Sequence, residues 1–111
     1  MKTRLLIPLF LALAYGQALA ADGKITINSP ANGAMVSATA KVPVNYEAML
    51  GPKGDHLHLY LDDKRIDVLR QLKGNTELDA MTPGKHKICL TENTKWHMST
   101  GLETCVEVTA Q

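Results

Sequence analysis

From His56 to Asp62 the chain alternates polar and apolar side chains without a break: His-Leu-His-Leu-Tyr-Leu-Asp. Successive side chains of an extended segment point to opposite faces, so Leu57, Leu59 and Leu61 share one face and His56, His58, Tyr60 and Asp62 the other. A strand of this kind needs neighbours to pair with and a second layer to cover its leucines. The rest of the sequence supplies both. Lys24 to Ile27, the alternating Val42, Val44 and Tyr46, Ile66 to Val68, Thr76 to Asp79, His86 to Leu90 and Thr104 to Val108 read as further strands. Turn residues separate them: Asn28 to Gly33, Gly51 to Gly54, Asp63-Lys64 and Met81 to Gly84. Pro43 marks a backbone position without a ladder partner. No segment sustains the i, i+3, i+4, i+7 apolar spacing of an amphipathic helix. The expectation is all-β: a seven-stranded, immunoglobulin-like antiparallel β-sandwich.

The first twenty residues stand outside this pattern. Lys2 and Arg4 precede an apolar run from Leu5 to Tyr15, and Ala18-Leu19-Ala20 is a small-x-small cleavage pattern, so residues 1–20 read as a secretory signal peptide. The run is shorter than the roughly 20 residues of a membrane span, and Pro8 interrupts it. No Cys follows the cleavage site to carry a lipid anchor. The reading is therefore export to a bacterial periplasm, with residues 21–111 as one domain and no stable membrane insertion once the leader is removed. Cleavage leaves 10 basic against 11 acidic side chains, a formal charge of −1, with no Lys/Arg cluster. A nucleic-acid partner is thereby disfavoured.

A domain of this size buries only about two-thirds of its unfolded surface and gains from a covalent staple. Cys89 and Cys105 are the only cysteines. Each sits at the parity opposite its apolar neighbours, Ile88 and Leu90 in one strand and Val106 and Val108 in the other. A hairpin centred near His97 pairs residues whose numbers sum to 194, which sets Cys89 opposite Cys105. A cross-strand disulfide is expected, as suits an oxidising compartment; free thiols or soft metal ligands are the other reading.

The chemistry of function shows only in the histidines. His56 and His58 project from one face roughly 7 Å apart, within reach of a shared ion if the rings lean inward. In an immunoglobulin-like sandwich the third strand starts at the end where the last hairpin turns, and it lies beside the first strand of that hairpin. His97 should therefore neighbour His56. Met98 adds a thioether and Trp96 a π face. Neutral imidazoles with a thioether suit copper better than calcium or magnesium. The expected metal ligands are His56, His58, His97 and Met98 in a solvent-accessible, outward-facing site holding copper, with zinc or no metal as alternatives. The bland readings are a solvated polar face for His56 and His58 and hairpin packing for Trp96 and Met98. His86 opens its strand at the far end with the inward parity of Ile88, so a structural imidazole bonded to backbone is expected there.

Other site chemistry is sparse. The chain has no phosphate-binding Gly-x-x-x-x-Gly-Lys loop, no Gly-x-Ser-x-Gly elbow, no His-Glu-x-x-His and no Cys-x-x-Cys. Asp62-Asp63 fits a charged turn better than a catalytic pair. No enzyme is expected.

The order of motifs, Ser29-Pro30 with Gly33 to Val36, His56 to Asp62, Gly74 to Glu77, Pro83 to Leu90 and a late His97, resembles small exported bacterial immunoglobulin-like domains of unknown function. The pattern there runs HxHLxxD, GxTe, PGxHxLxL and a final histidine. The resemblance implies an exported sandwich without established enzymatic activity. This chain departs from it at Arg70-Gln71, where relatives often carry another histidine, and in its cysteine pair. Two functional expectations follow: a periplasmic binding or accessory module holding a transition metal, or a structural or interaction module that docks on an envelope protein without metal.

Overall fold

The computed structural model describes residues 23–111. The signal-peptide reading of residues 1–20 lies outside the described residues. Eight strands run in chain order: β1 (Lys24–Ser29), β2 (Ala34–Val36), β3 (Val42–Met49), β4 (His56–Leu61), β5 (Lys64–Leu69), β6 (Lys73–Leu78), β7 (Gly84–Asn93) and β8 (Ser99–Ala110). They form two sheets, β1-β3-β6 and β2-β8-β7-β4-β5. The all-β sandwich is as the alternation requires, and the seven anticipated strands are all present.

The eighth, β2, is three residues long and pairs parallel to β8, the one departure from antiparallel pairing among the described residues. It is too short to carry a period of two, so it reads as part of the preceding turn. The strands of the last hairpin also run longer than their apolar cores. Polar residues such as Lys85, Thr91 and Glu103 continue the ladder after the hydrophobic pattern has stopped.

The core lies between the sheets. Leu57, Leu59, Ile88, Leu90 and Val108 from the five-stranded sheet meet Ile25, Val44, Tyr46 and Leu78 from the other, all buried. The alternation of β4 is thus real in space: its leucines fill the core, and its histidines point to the opposite face. Pro43 pairs only toward β6, because β1 ends against Asn45.

Asp62 and Asp63 both have positive φ and form the two-residue turn between β4 and β5, the conformation that suits a tight hairpin. Asp62 accepts hydrogen bonds from Lys87 N at 2.8 Å and from the His86 ring at 2.6 Å. It ties this turn to β7 and takes no part in a carboxylate pair.

The hairpin of β7 and β8 keeps the anticipated register from His86↔Val108 through Cys89↔Cys105 to Thr91↔Glu103. A bulge then shifts it, so that Asn93 pairs with Ser99. Cys89 and Cys105 are joined by a disulfide, with Cα atoms 4.1 Å apart.

Candidate metal centre

The ladders carry the three histidines to one place. His56 pairs with Asn93, and His58 sits between Val68 of β5 and Thr91 of β7. The β7–β8 turn rises beside them. His97 N donates to Thr94 O at 2.9 Å and Thr94 N donates to Met98 O at 2.8 Å, closing a compact loop. His97 has a φ of 64°, left-handed backbone that a non-glycine residue adopts at a cost of about 1–2 kcal/mol.

Three ring nitrogens converge. His56 Nε2 lies 3.0 Å from His58 Nε2 and 3.1 Å from His97 Nδ1, and His58 Nε2 lies 3.0 Å from His97 Nδ1. This near-equilateral triangle cannot be satisfied by hydrogen bonds alone. Each nitrogen is either a donor or an acceptor, and with three corners at least one edge joins two of a kind. A cation at the centre resolves the conflict, because all three nitrogens then present lone pairs to one point. At metal–nitrogen distances near 2.0–2.1 Å, the triangle seats an ion about 1 Å above its plane, with N–M–N angles of about 90–100°. Such a facial set leaves one side open to further ligands.

His56 and His58 lie on the sheet face that parity assigns them, away from the leucine core, but they are 0% and 1% exposed, so the expectation of a solvent-accessible pair is corrected. Parity decides which sheet face a side chain takes, not what lies over it. Here the turn covers that face: the His97 ring stacks on His58 with centroids 5.2 Å apart and meets His56 edge-on at 4.5 Å. Thr91 and Asn93, hydrogen-bonded to each other at 2.7 Å, are buried on the same sheet. His97 itself is exposed, which leaves the centre reachable from the turn.

Met98 follows His97 with its side chain 67% exposed, and Trp96 precedes it at 74%. Neither packs into the core. Trp96 instead lies beneath Lys95, whose Nζ is 5.1 Å from the ring centroid.

Burial governs the protonation of His58. Desolvation, ahead of the coulombic effects of His56, Arg65, His97 and Arg70, pushes it down to about 4, so it is neutral near pH 7 and able to ligate. His58 Nδ1 is buried without a hydrogen-bond partner among the described residues.

His56 is different. Its Nδ1 lies 2.8 Å from Asp55 Oδ2, which fixes the proton on Nδ1 and leaves Nε2 facing the triangle. The hydrogen bond from His56 holds the Asp55 carboxyl below its usual range, and Arg70 approaches the same oxygen at 3.5 Å. Asp55 is the residue that reading by strand parity missed; it precedes the strand. Its signal was its position immediately before a His-x-His pair, where a carboxylate can orient the first ring.

His86 lies apart from the centre, at the opposite end of β7. Its ring donates to Thr82 O at 2.7 Å and to Asp62 at 2.6 Å, and the hydrogen bond to Asp62, followed by that to Thr82, raises its pKa. This is the structural role anticipated for it.

Glu92, on the core side of β7, is another buried charge. Its carboxylate accepts from Gly51 N at 2.6 Å and from the Thr100 hydroxyl, clasping the loop before β4. A Cβ at Gly54 would collide with that carboxylate, which explains a glycine there.

No family model matches the chain, and no curated protein matches it in sequence. In three dimensions it is similar to the fibronectin(III)-like modules of Clostridium thermocellum CbhA. The TM-score is 0.66 at 12% identity, covering 78% of this chain and 96% of that one. The likeness shows the fold. That fold is a small immunoglobulin-like β-sandwich, the coarser part of the motif resemblance. No helix among the described residues is long and apolar enough to cross a membrane, and the disulfide fits an oxidising compartment.

Proposed function

We propose that the protein is a periplasmic binding module that holds one transition-metal ion through His56 Nε2, His58 Nε2 and His97 Nδ1. The observation that carries this reading is the triangle of nitrogens with edges of 3.0–3.1 Å, which no arrangement of protons satisfies. Three neutral imidazoles select borderline cations over calcium or magnesium, and divalent copper binds such a set more tightly than zinc. Copper is therefore the proposed occupant and zinc its competitor. The open side of the triangle takes water or the Met98 thioether, which is one residue from His97. Asp55 is the outer partner that orients His56. The role is binding rather than catalysis, with the sandwich as a rigid frame.

Equilibrium titration of residues 21–111 with Cu(II) and Zn(II) tests this. One equivalent should bind at neutral pH, and affinity should fall steeply between roughly pH 7 and 5 as protons compete for the imidazoles. Binding unchanged by His56→Ala or His97→Asn overturns the assignment.

A second reading is supported by the likeness to fibronectin(III)-like modules and by the exposed Trp96 and Met98 at the hairpin tip. In it the tip docks on an envelope protein without metal. It leads if neither copper nor zinc binds at micromolar concentration.

A further inference from the structure

The sheet face that carries His58 also carries the disulfide. Tyr60 and Cys105 flank Cys89 in one row, and the next row toward the turn holds His58, Thr91 and Glu103. Glu103 and Cys105, two apart on β8, share this face. The Glu103 carboxylate and the two sulfurs all lie within 4.8 Å of one another. Beside them is a recess of about 250 Å³ lined by Tyr60, Asp63, Cys89, Thr91, Ser99 and Glu103.

The two cysteines are unequally exposed. Cys89 is 3% exposed, whereas Cys105 is exposed. An incoming thiolate therefore has access to Cys105 Sγ, with Cys89 as the leaving thiolate. Cleavage need not disturb the pairing, because backbone ladder pairs continue on both sides, Ile88↔Val106 and Leu90↔Thr104. The Cα atoms are 4.1 Å apart, so the freed sulfurs can part to about 3.8 Å, the separation of two thiolates on one tetrahedral zinc, with little backbone movement.

We infer that Cys89, Cys105 and Glu103 form a second, redox-gated metal centre, closed while the disulfide stands and open to one thiophilic divalent cation of the zinc class once a thiol reductant cleaves it. The chemistry balances in two steps. Two reductant thiols are oxidised to their own disulfide and give two cysteine thiols. The cation then displaces two protons to form two metal–thiolate bonds, with the carboxylate as third ligand and water as fourth. This centre uses none of the three histidines, so it stands or falls independently of the histidine site.

Cobalt(II) is the probe, because its bond to thiolate produces a charge-transfer absorption that imidazole ligation does not. Residues 21–111 are compared disulfide-bonded and after reduction, with the reductant removed under anaerobic conditions. The oxidised protein should show no thiolate band. In the His97→Asn background, where the histidine site no longer competes, the reduced protein should develop one with a single equivalent of Co(II), and Zn(II) should displace it. Cys89→Ser and Cys105→Ser should each abolish the two-thiolate band. Glu103→Gln should weaken binding roughly tenfold or more, the scale lost even for outer-sphere partners. His97→Asn should leave the band intact. Circular dichroism and amide NMR dispersion establish whether the reduced chain keeps its sandwich. A folded, reduced protein without the band overturns the inference. So does loss of the sandwich on reduction, since the ligands are brought together by the hairpin register, and so does a Glu103→Gln variant that binds as tightly as the parent.

Discussion

The burial of His58 has a measurable consequence for acid stability. In the folded state its pKa is pushed down to about 4, against 6.5 for an unperturbed imidazole. A depressed imidazole pKa means that the unfolded chain takes up the proton first, so stability falls as pH drops below about 6.5 and stops falling near pH 4. Above pH 6.5 both states are neutral and nothing is lost. Between pH 7.5 and pH 5 the difference in proton uptake amounts to about 2 kcal/mol, a large share of a small domain's stability. His86 works in the opposite sense. Its raised pKa contributes stability that is fully present below 6.5 and is lost as pH rises through the folded value, so the two partly offset in the parent protein. The comparison that isolates His58 is therefore parent against His58→Gln, both free of metal. Urea unfolding at a series of pH values gives the two stabilities, and their difference should shift by about 2 kcal/mol in favour of the variant from pH 7.5 to pH 5. A difference that stays constant across this range refutes the argument that His58 is held neutral by burial.

Asp55→Asn removes the carboxylate that orients His56 and should weaken copper or zinc affinity about 10–100-fold with the fold unchanged, as competition against a chelator can measure. His86→Ala should lower stability, most at pH below 6.5, and leave metal affinity within twofold of the parent in the same titration, about the limit such comparisons resolve. Reduction of the disulfide, which links residues 16 apart, should cost about 3 kcal/mol in thermal or urea unfolding while circular dichroism still reports the sandwich.

The fold was legible because its determinants are local. Alternation in β4 decides which residues are core, and Leu57 and Leu59 are completely buried as that rule demands. The disulfide was legible for a related reason: parity and the hairpin sum both act on Cys89 and Cys105, and the ladder obeys them through that pair. β2 escaped because three residues beside a turn carry no periodicity. The burial of His56 and His58 escaped for a different reason. It depends on where the turn lays the His97 ring, and that is set by a left-handed backbone at His97 and by the bulge that moves Asn93 opposite Ser99. Neither leaves a mark in hydrophobic pattern. The role of Asp55 likewise depends on the orientation of the His56 ring, which spacing does not specify.

The central claim is that three specified nitrogens take one ion. Ring-nitrogen NMR of residues 21–111, with ¹⁵N in the histidines and Zn(II) added stepwise at neutral pH, tests it most directly. The account predicts that His56 Nε2, His58 Nε2 and His97 Nδ1 shift together and saturate at one equivalent, while both nitrogens of His86 stay in place. Saturation of only one or two of these rings, or movement of none at micromolar zinc, contradicts it.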